Sequence, residues 1–278
     1  MSYQGYLRIV HRSDPGLVRD HNEDYLGSDA ALGVLILADG MGGYQAGEIA
    51  SEIAVTQIMQ EIKAKAQSLV LGEMDNKSNY RHASLLLQQA TLKANQAIYQ
   101  SAQAQPEFYG MGTTIVAALF YDNCLSIVHV GDSRLYRLRD NQLQQLTKDH
   151  SVLQELVDHG FYTPEQARHS PNKNLVTRAL GVNMDVKVDL TEVQVQFDDL
   201  FLLCSDGLND MLEDRHIEQI TAQPHSLEKI ADALIEAANA KGGEDNISVI
   251  LAQMTADSQH SKRRTPWWKN GWFWRKRS

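Results

Sequence analysis

Five acidic positions stand beside apolar runs that a folded chain would bury. "LILADG" (35–40) climbs to Asp39, "SIVHVGD" (126–132) to Asp132 and "LFLLCSDG" (200–207) to Asp206. "GGEDNISVIL" (242–251) begins an apolar run just after Asp245, and the pair Glu23/Asp24 in "RDHNEDYLG" precedes another short strand. One such Asp is ordinarily a turn former or a cap. Several together are different, because buried carboxylates repel one another unless a cation compensates them. An all-oxygen ligand set selects Mg²⁺ or Mn²⁺ over zinc, and no Cys/His cluster has zinc-like spacing.

The glycines after Asp39 (Gly40, Gly42 and Gly43) admit three readings: a phosphate cradle, a metal turn or a tight bend. No Gly-Lys-Ser/Thr follows, and Gln45 breaks the GxGxxG spacing, so a backbone phosphate cradle is disfavoured. A cation beside Asp39 requires close backbone, which a side chain at position 40 would block. Gly40 can then offer its carbonyl oxygen as a ligand.

The elements that must position these groups can be read from periodicity. Strands are expected at 6–12, 33–39, 113–120, 124–131, 134–140, 186–193, 199–206 and 246–254. The "YDNC" step signals a hairpin between the third and fourth of them. Helical spacing of Ala50, Ile53, Ala54, Ile58 and Ile62 predicts a helix over 45–68, and Leu85, Leu86, Ala90, Ala94, Ala97 and Ile98 predict one over 82–103. A further helix fits 226–240, with Ser226 as N-cap and Gly242 near its end. Residues 151–184 are mixed and polar, with room for two short helices. Strands in runs and helices in separate pairs argue for an α+β fold with antiparallel sheets and helices packed outside.

At 278 residues, 43% hydrophobic and 22% charged, the chain reads as a globular protein with no apolar run long enough for a membrane span. The start MSYQGYLRIVHRSD lacks a signal-peptide core, so the expected location is the cytoplasm. Cys124 and Cys204 then read as reduced core thiols. Charge is unevenly placed. Residues 257–278 carry seven Lys/Arg and one acid, which leaves residues 1–256 at about −15. An acidic body argues against a nucleic-acid-binding domain.

The ordered motifs "GLVRDHNEDYLG", "LILADGMGG", "GMGTTIVAAL", "VHVGDSRLYRL", "LTKDHS", "NLVTRALG", "DLFLLCSDGLND" and "GGEDNISVI" span residues 16–250. In this set the chain resembles the bacterial metal-dependent protein phosphatases of type 2C (PPM). The resemblance implies a four-layer α-β-β-α sandwich over residues 1–256, with the metal centre at one end between the sheets. It implies two Mn²⁺ or Mg²⁺ ions bridged by Asp39. Asp206 and Asp245 complete the first site, the Gly40 carbonyl joins the second, and Glu23 acts through water. Asp132 matches the position that, with Asp206, can hold a third, weaker metal. Arg19 matches the arginine that grips the substrate phosphate, a task suited to a guanidinium fork. The implied reaction is hydrolysis of phosphoserine or phosphothreonine by a metal-bridging hydroxide, without a covalent intermediate. Ser133 and Ser205 are then structural.

Met41 stands where eukaryotic relatives carry a histidine proposed as general acid, so leaving-group protonation is expected to fall to a metal-bound water near Asp132. Residues 148–180 resemble the flap beside the active site, and its histidines, His150, His159 and His169, are expected to serve surface or packing roles. The expected partners are phosphorylated proteins and an opposing Ser/Thr kinase; no nucleic acid is expected. The tail "KRRTPWWKNGWFWRKRS" (262–278) holds all four tryptophans and suits an anionic membrane surface, which would place the protein peripherally at the inner face. A protein-docking peptide, a nucleic-acid patch or an unstructured tail are the other readings. A pseudo-phosphatase and a nuclease are the rival functions; the intact Asp39, Asp206, Asp245 and Arg19 disfavour the first, and the acidic body the second.

Overall fold

The computed structural model of the protein describes residues 7–42, 46–168, 170 and 175–254. Two of its strands show why layers are needed: all seven residues of IVAALFY and all seven of CLSIVHV are buried. A strand buried on both faces needs cover on both sides.

In chain order the elements are β1 (Leu7–Asp14), β2 (Asp24–Asp29), β3 (Val34–Met41), α1 (Ala46–Lys65), α2 (His82–Ala104), β4 (Gly112–Thr113), β5 (Ile115–Tyr121), β6 (Cys124–Val130), β7 (Arg134–Arg139), β8 (Gln142–Gln145), α3 (Val152–Asp158), α4 (Pro164–Arg168), β9 (Asp189–Gln194), β10 (Leu200–Cys204), α5 (Asp206–Asn209), α6 (Asp214–Thr221), α7 (Leu227–Ala240) and β11 (Ile247–Met254). One sheet runs β1-β11-β10-β7-β8, the other β2-β3-β5-β6-β9, with β4 paired to β3. Every strand pairing is antiparallel. The result is the α+β sandwich expected from the sequence, and its three apolar cores lie between four layers.

Between the sheets, Leu35, Leu37, Val116, Phe120, Phe201, Leu203 and Ile250 interleave. Phe120 and Phe201 meet edge to face at 5.5 Å, a favoured aromatic geometry. On one outer face the small stripe Ala50, Ala54, Ala90 and Ala94 lets α1 and α2 settle on Ile36, Ala117 and Val128. On the other, Ile230, Leu234 and Ala238 of α7 pack against Leu202 and Val249. Ser226 caps α7 as expected, its Oγ accepting from Lys229 N at 3.4 Å.

The structure corrects three boundaries near the site. β3 does not stop at Asp39 but continues through Gly40 to Met41, because β4 supplies a partner: Gly40 pairs with Thr113 and Met41 with Gly112. The 199–206 run leaves its sheet at Cys204, and Asp206 opens α5 instead. The 113–120 run is split by Thr114 into β4 and β5. Three elements that periodicity did not predict, β8, α5 and α6, are all short. The helix expected from 45 is seen from Ala46 onward; residues 43–45 lie outside the described residues, as does the 262–278 tail.

Candidate active site

The register of β2 against β3 sets Asp24 opposite Asp39, so the "NED" stretch and the "LADG" stretch meet at one end of the sandwich. The backbone of Asp39 is fixed from a third strand region: Thr114 N donates to Asp39 O at 2.8 Å and Thr113 Oγ1 donates to the same oxygen at 2.8 Å. Thr114 Oγ1 in turn shares a 2.7 Å hydrogen bond with Ser133 Oγ, one residue from Asp132. The opposite sheet contributes through Ser205, whose Oγ donates to Asp24 Oδ2 at 2.8 Å. Asn246 ties the loops together: its Oδ1 accepts from Glu23 N at 2.8 Å, and its Nδ2 donates to His21 O at 2.8 Å and to Pro15 O at 3.1 Å.

Gly40 is required for a reason the sequence did not reveal. A Cβ there would stand 2.1 Å from Gly47 O and 2.6 Å from Glu23 O. Strand β3, the start of α1 and the Glu23 turn are too close for any side chain, and Gly40 N donates to Glu23 O at 3.1 Å across that contact.

These elements form a cleft of about 810 Å³ lined by Arg19, Glu23, Asp39, Gly40, Asp132, Asp206 and Asp245, with Val18, Met41 and Val176 among its apolar walls. All seven residues expected at the site from sequence therefore line one cavity. Arg19 reaches across it, its Nη2 2.7 Å from Asp245 Oδ2. That hydrogen bond and the charge of Asp245 raise the Arg19 pKa further.

The electrostatics are those of crowded acids. Burial, with repulsion from Asp245 adding to it, pushes Asp24 up to about 7. Burial and the neighbouring Asp149 do the same for Asp132, also to about 7. Asp39 and Asp206 are pushed well above the carboxylate range, by burial first and then by the surrounding aspartates. Glu23 is raised by burial. Asp24 Oδ1 is buried and has no hydrogen-bond partner among the described residues. Among the described residues no three acidic or imidazole groups already converge as a tight ligand cluster, and Asp245 is paired with Arg19. The donor set nevertheless fits divalent cations: it is all oxygen, it is partly desolvated, and its mutual repulsion is what a bound cation relieves.

Asp24 was read from sequence, with Glu23, as an acid beside an apolar run but was assigned no role; the pairing of β2 with β3 sets it opposite Asp39 and buries it. Ser133 and Ser205 are buried hydrogen-bonding struts. Of the flap histidines, His150 is buried against His129, His159 is exposed, and His169 lies outside the described residues.

A family profile described as "Protein phosphatase 2C" matches residues 18–252. The serine/threonine phosphatase stp of Listeria welshimeri is 40% identical over 250 residues, covering 89% of this chain and 96% of that protein. The serine/threonine protein phosphatase PstP of Mycobacterium tuberculosis is 41% identical over 248 residues, 89% of this chain but 45% of that longer protein. Among solved structures, the catalytic domain of PstP in complex with two manganese ions superposes with a TM-score of 0.78 at 39% identity, covering 90% of this chain and 99% of that one.

Proposed function

The chain belongs to the protein phosphatase 2C family and is a metal-dependent protein serine/threonine phosphatase, and from that premise we propose how its own residues divide the work. Asp39, Asp206, Asp245 and the Gly40 carbonyl would hold two divalent cations, with Glu23 acting through water and Asp132 joining Asp206 at a third position. The preferred ions are Mn²⁺ or Mg²⁺, and the two manganese ions in the PstP domain support the first. When bound, the cations lower the pKa of water and neutralise phosphoryl charge.

Arg19 binds the phosphate oxygens. Its 2.7 Å contact to Asp245 is the one it would exchange for phosphate oxygens, and its guanidinium is half-exposed. Thr113, Thr114 and Ser205 hold the acids in position through the hydrogen bonds above. Met41 lines the cleft and carries no proton to give. Asp132, a buried residue lining the cleft, would hold the water that protonates the departing serine or threonine oxygen.

The observation that carries this reading is the gathering of Glu23, Asp39, Asp132, Asp206 and Asp245 with Arg19 around one cleft. Its substrates are phosphorylated proteins; we assign the opposing partner as a Ser/Thr kinase. The basic, Trp-rich 262–278 segment supports a peripheral contact with an anionic membrane surface. Among the described residues no helix is long and apolar enough to cross one. Mn²⁺-dependent release of phosphate from a phosphothreonine peptide tests the assignment, with Asp39→Asn as control; release no greater than that control overturns it. Co-sedimentation with anionic vesicles tests the tail, and equal binding by full-length and 1–256 protein removes the membrane contact.

A further inference from the structure

His150 ties the segment 148–180 to the body of the protein beside two other anchors, the Arg134–Asp149 ion pair at its incoming end and the Thr113–Leu180 bridge at its outgoing end. The amide of His150 donates to Gly131 O at 2.7 Å, and its ring Nδ1 accepts from Gly131 N at 3.1 Å. Both backbone groups of the residue preceding Asp132 are thus held by a single histidine. The carbonyl of His150 accepts from Thr177 N at 2.7 Å, beside a bridge between Ser151 and Val176, so the outgoing end of the segment is held as well.

The ring's other nitrogen faces Asp189 of β9, with Nε2 3.2 Å from Oδ2. Arg178, from the outgoing end, donates to Asp189 Oδ1 at 3.0 Å and lies 3.1 Å from the same Nε2. Because Nδ1 accepts from an amide, the neutral ring carries its proton on Nε2 and donates it to Asp189. Arg178 therefore serves Asp189, not the ring. His129 packs against His150 with ring centroids 4.6 Å apart and planes tilted by 37°. Burial, helped by His150, holds the His129 pKa down to about 3, and burial likewise lowers that of His150.

Gly131 leaves no room for a side chain beside Thr114. Its φ is +113°, and a Cβ there would stand 2.6 Å from Thr114 Cβ. Thr114 is the residue that holds Asp39 O.

We propose that His150 is a positioning residue that couples the seating of the two ends of the 148–180 segment to the seating of Asp132. The coupling rests on the phosphatase reading for the role of Asp132, while the mechanical link from ring to Gly131 stands apart from it. Outer partners of this kind typically change metal affinity or activity about 10- to 100-fold when removed.

The experiment compares full-length wild-type, His150→Ala, His150→Asn and Asp189→Asn proteins. Asn retains an acceptor near the Nδ1 position but does not reach Asp189. His150→Ala is expected to raise both the Mn²⁺ concentration for half-activation and the KM for a phosphothreonine peptide about tenfold. Amides of α3 and of the Gly131–Arg134 turn should lose hydrogen-exchange protection together. His150→Asn should restore the Mn²⁺ response to within about threefold of wild type while leaving α3 less protected. Asp189→Asn should raise KM and loosen α3 with the Mn²⁺ response unchanged. The proposal is overturned if His150→Ala leaves both kinetic quantities at wild type, or if α3 loosens while the Gly131 turn and the Mn²⁺ response do not. Should His150→Ala not fold, the opposite responses of the Asn and Asp189 variants decide it. If no variant, nor the wild type, releases phosphate, the exchange data still read the coupling, and failure then falls on the phosphatase reading alone.

Discussion

Asp39 and Arg19 do different work, and substitution separates them. Asp39→Asn removes the charge proposed to bridge the two cations and should cost more than the about 10- to 100-fold typical of an outer partner, read as kcat on a phosphothreonine peptide. Arg19→Lys keeps the charge but loses the fork. Removing one charge-assisted bond, worth about 1.5–3 kcal/mol, should raise KM on the order of tenfold or more with a smaller change in kcat. His129 sets an acid limit. Its pKa is about 3 in the fold against an ordinary imidazole near 6.5 in the unfolded chain. Between those values the unfolded chain binds a proton that the folded one does not, so stability falls as pH drops from about 6.5 toward 3. Chemical denaturation at several pH values should show a shallower acid loss in His129→Gln. The aspartates and Arg19 were legible from sequence because each sits at the end of an apolar run or in an ordered motif. What Asp24 and His150 touch was not legible, since their partners Ser205, Gly131 and Asp189 lie far along the chain and become neighbours only after the sheets form.

Long elements announced themselves and short ones did not. α1 and α2 repeat apolar residues over five or more turns, and β5 is an unbroken apolar run joined to the largely apolar β6 by a two-residue turn with Asp122 at φ +48°. β8 and α5 are four residues each, too brief for any period to register. The extension of β3 to Met41 was hidden for another reason: glycine is a poor strand former, and only pairing with β4 keeps it extended. The sheets depend on their mutual packing, which makes Phe201 a critical residue. It is wholly buried, edge-on to Phe120, and Phe201→Ala should cost about 3–5 kcal/mol of unfolding free energy, measured by urea denaturation. An effect below about 1 kcal/mol would mean that the inter-sheet core collapses around the cavity.

At the scale of the molecule, stability and catalysis draw on the same acids. Without a counter-ion the cleft carboxylates oppose the fold; with one they support it. Mn²⁺ at about a hundred times its Kd should therefore stabilise the protein by about 2.7 kcal/mol, seen as a rise in Tm that chelation reverses. A Tm indifferent to Mn²⁺ would place the ions elsewhere. The sheet order holds one further consequence. β1 lies at the edge of its sheet and pairs only with β11, the last of the described strands, while Asp245 arrives just ahead of β11. A chain still emerging from the ribosome has Arg19 and Asp39 early but must wait for β11 before the first strand has a partner and the acid ring is complete. Such long-range closure is slow, and it times the onset of activity: a nascent chain, or one cut ahead of β11, stays silent, and dephosphorylation begins only once synthesis has run past that strand.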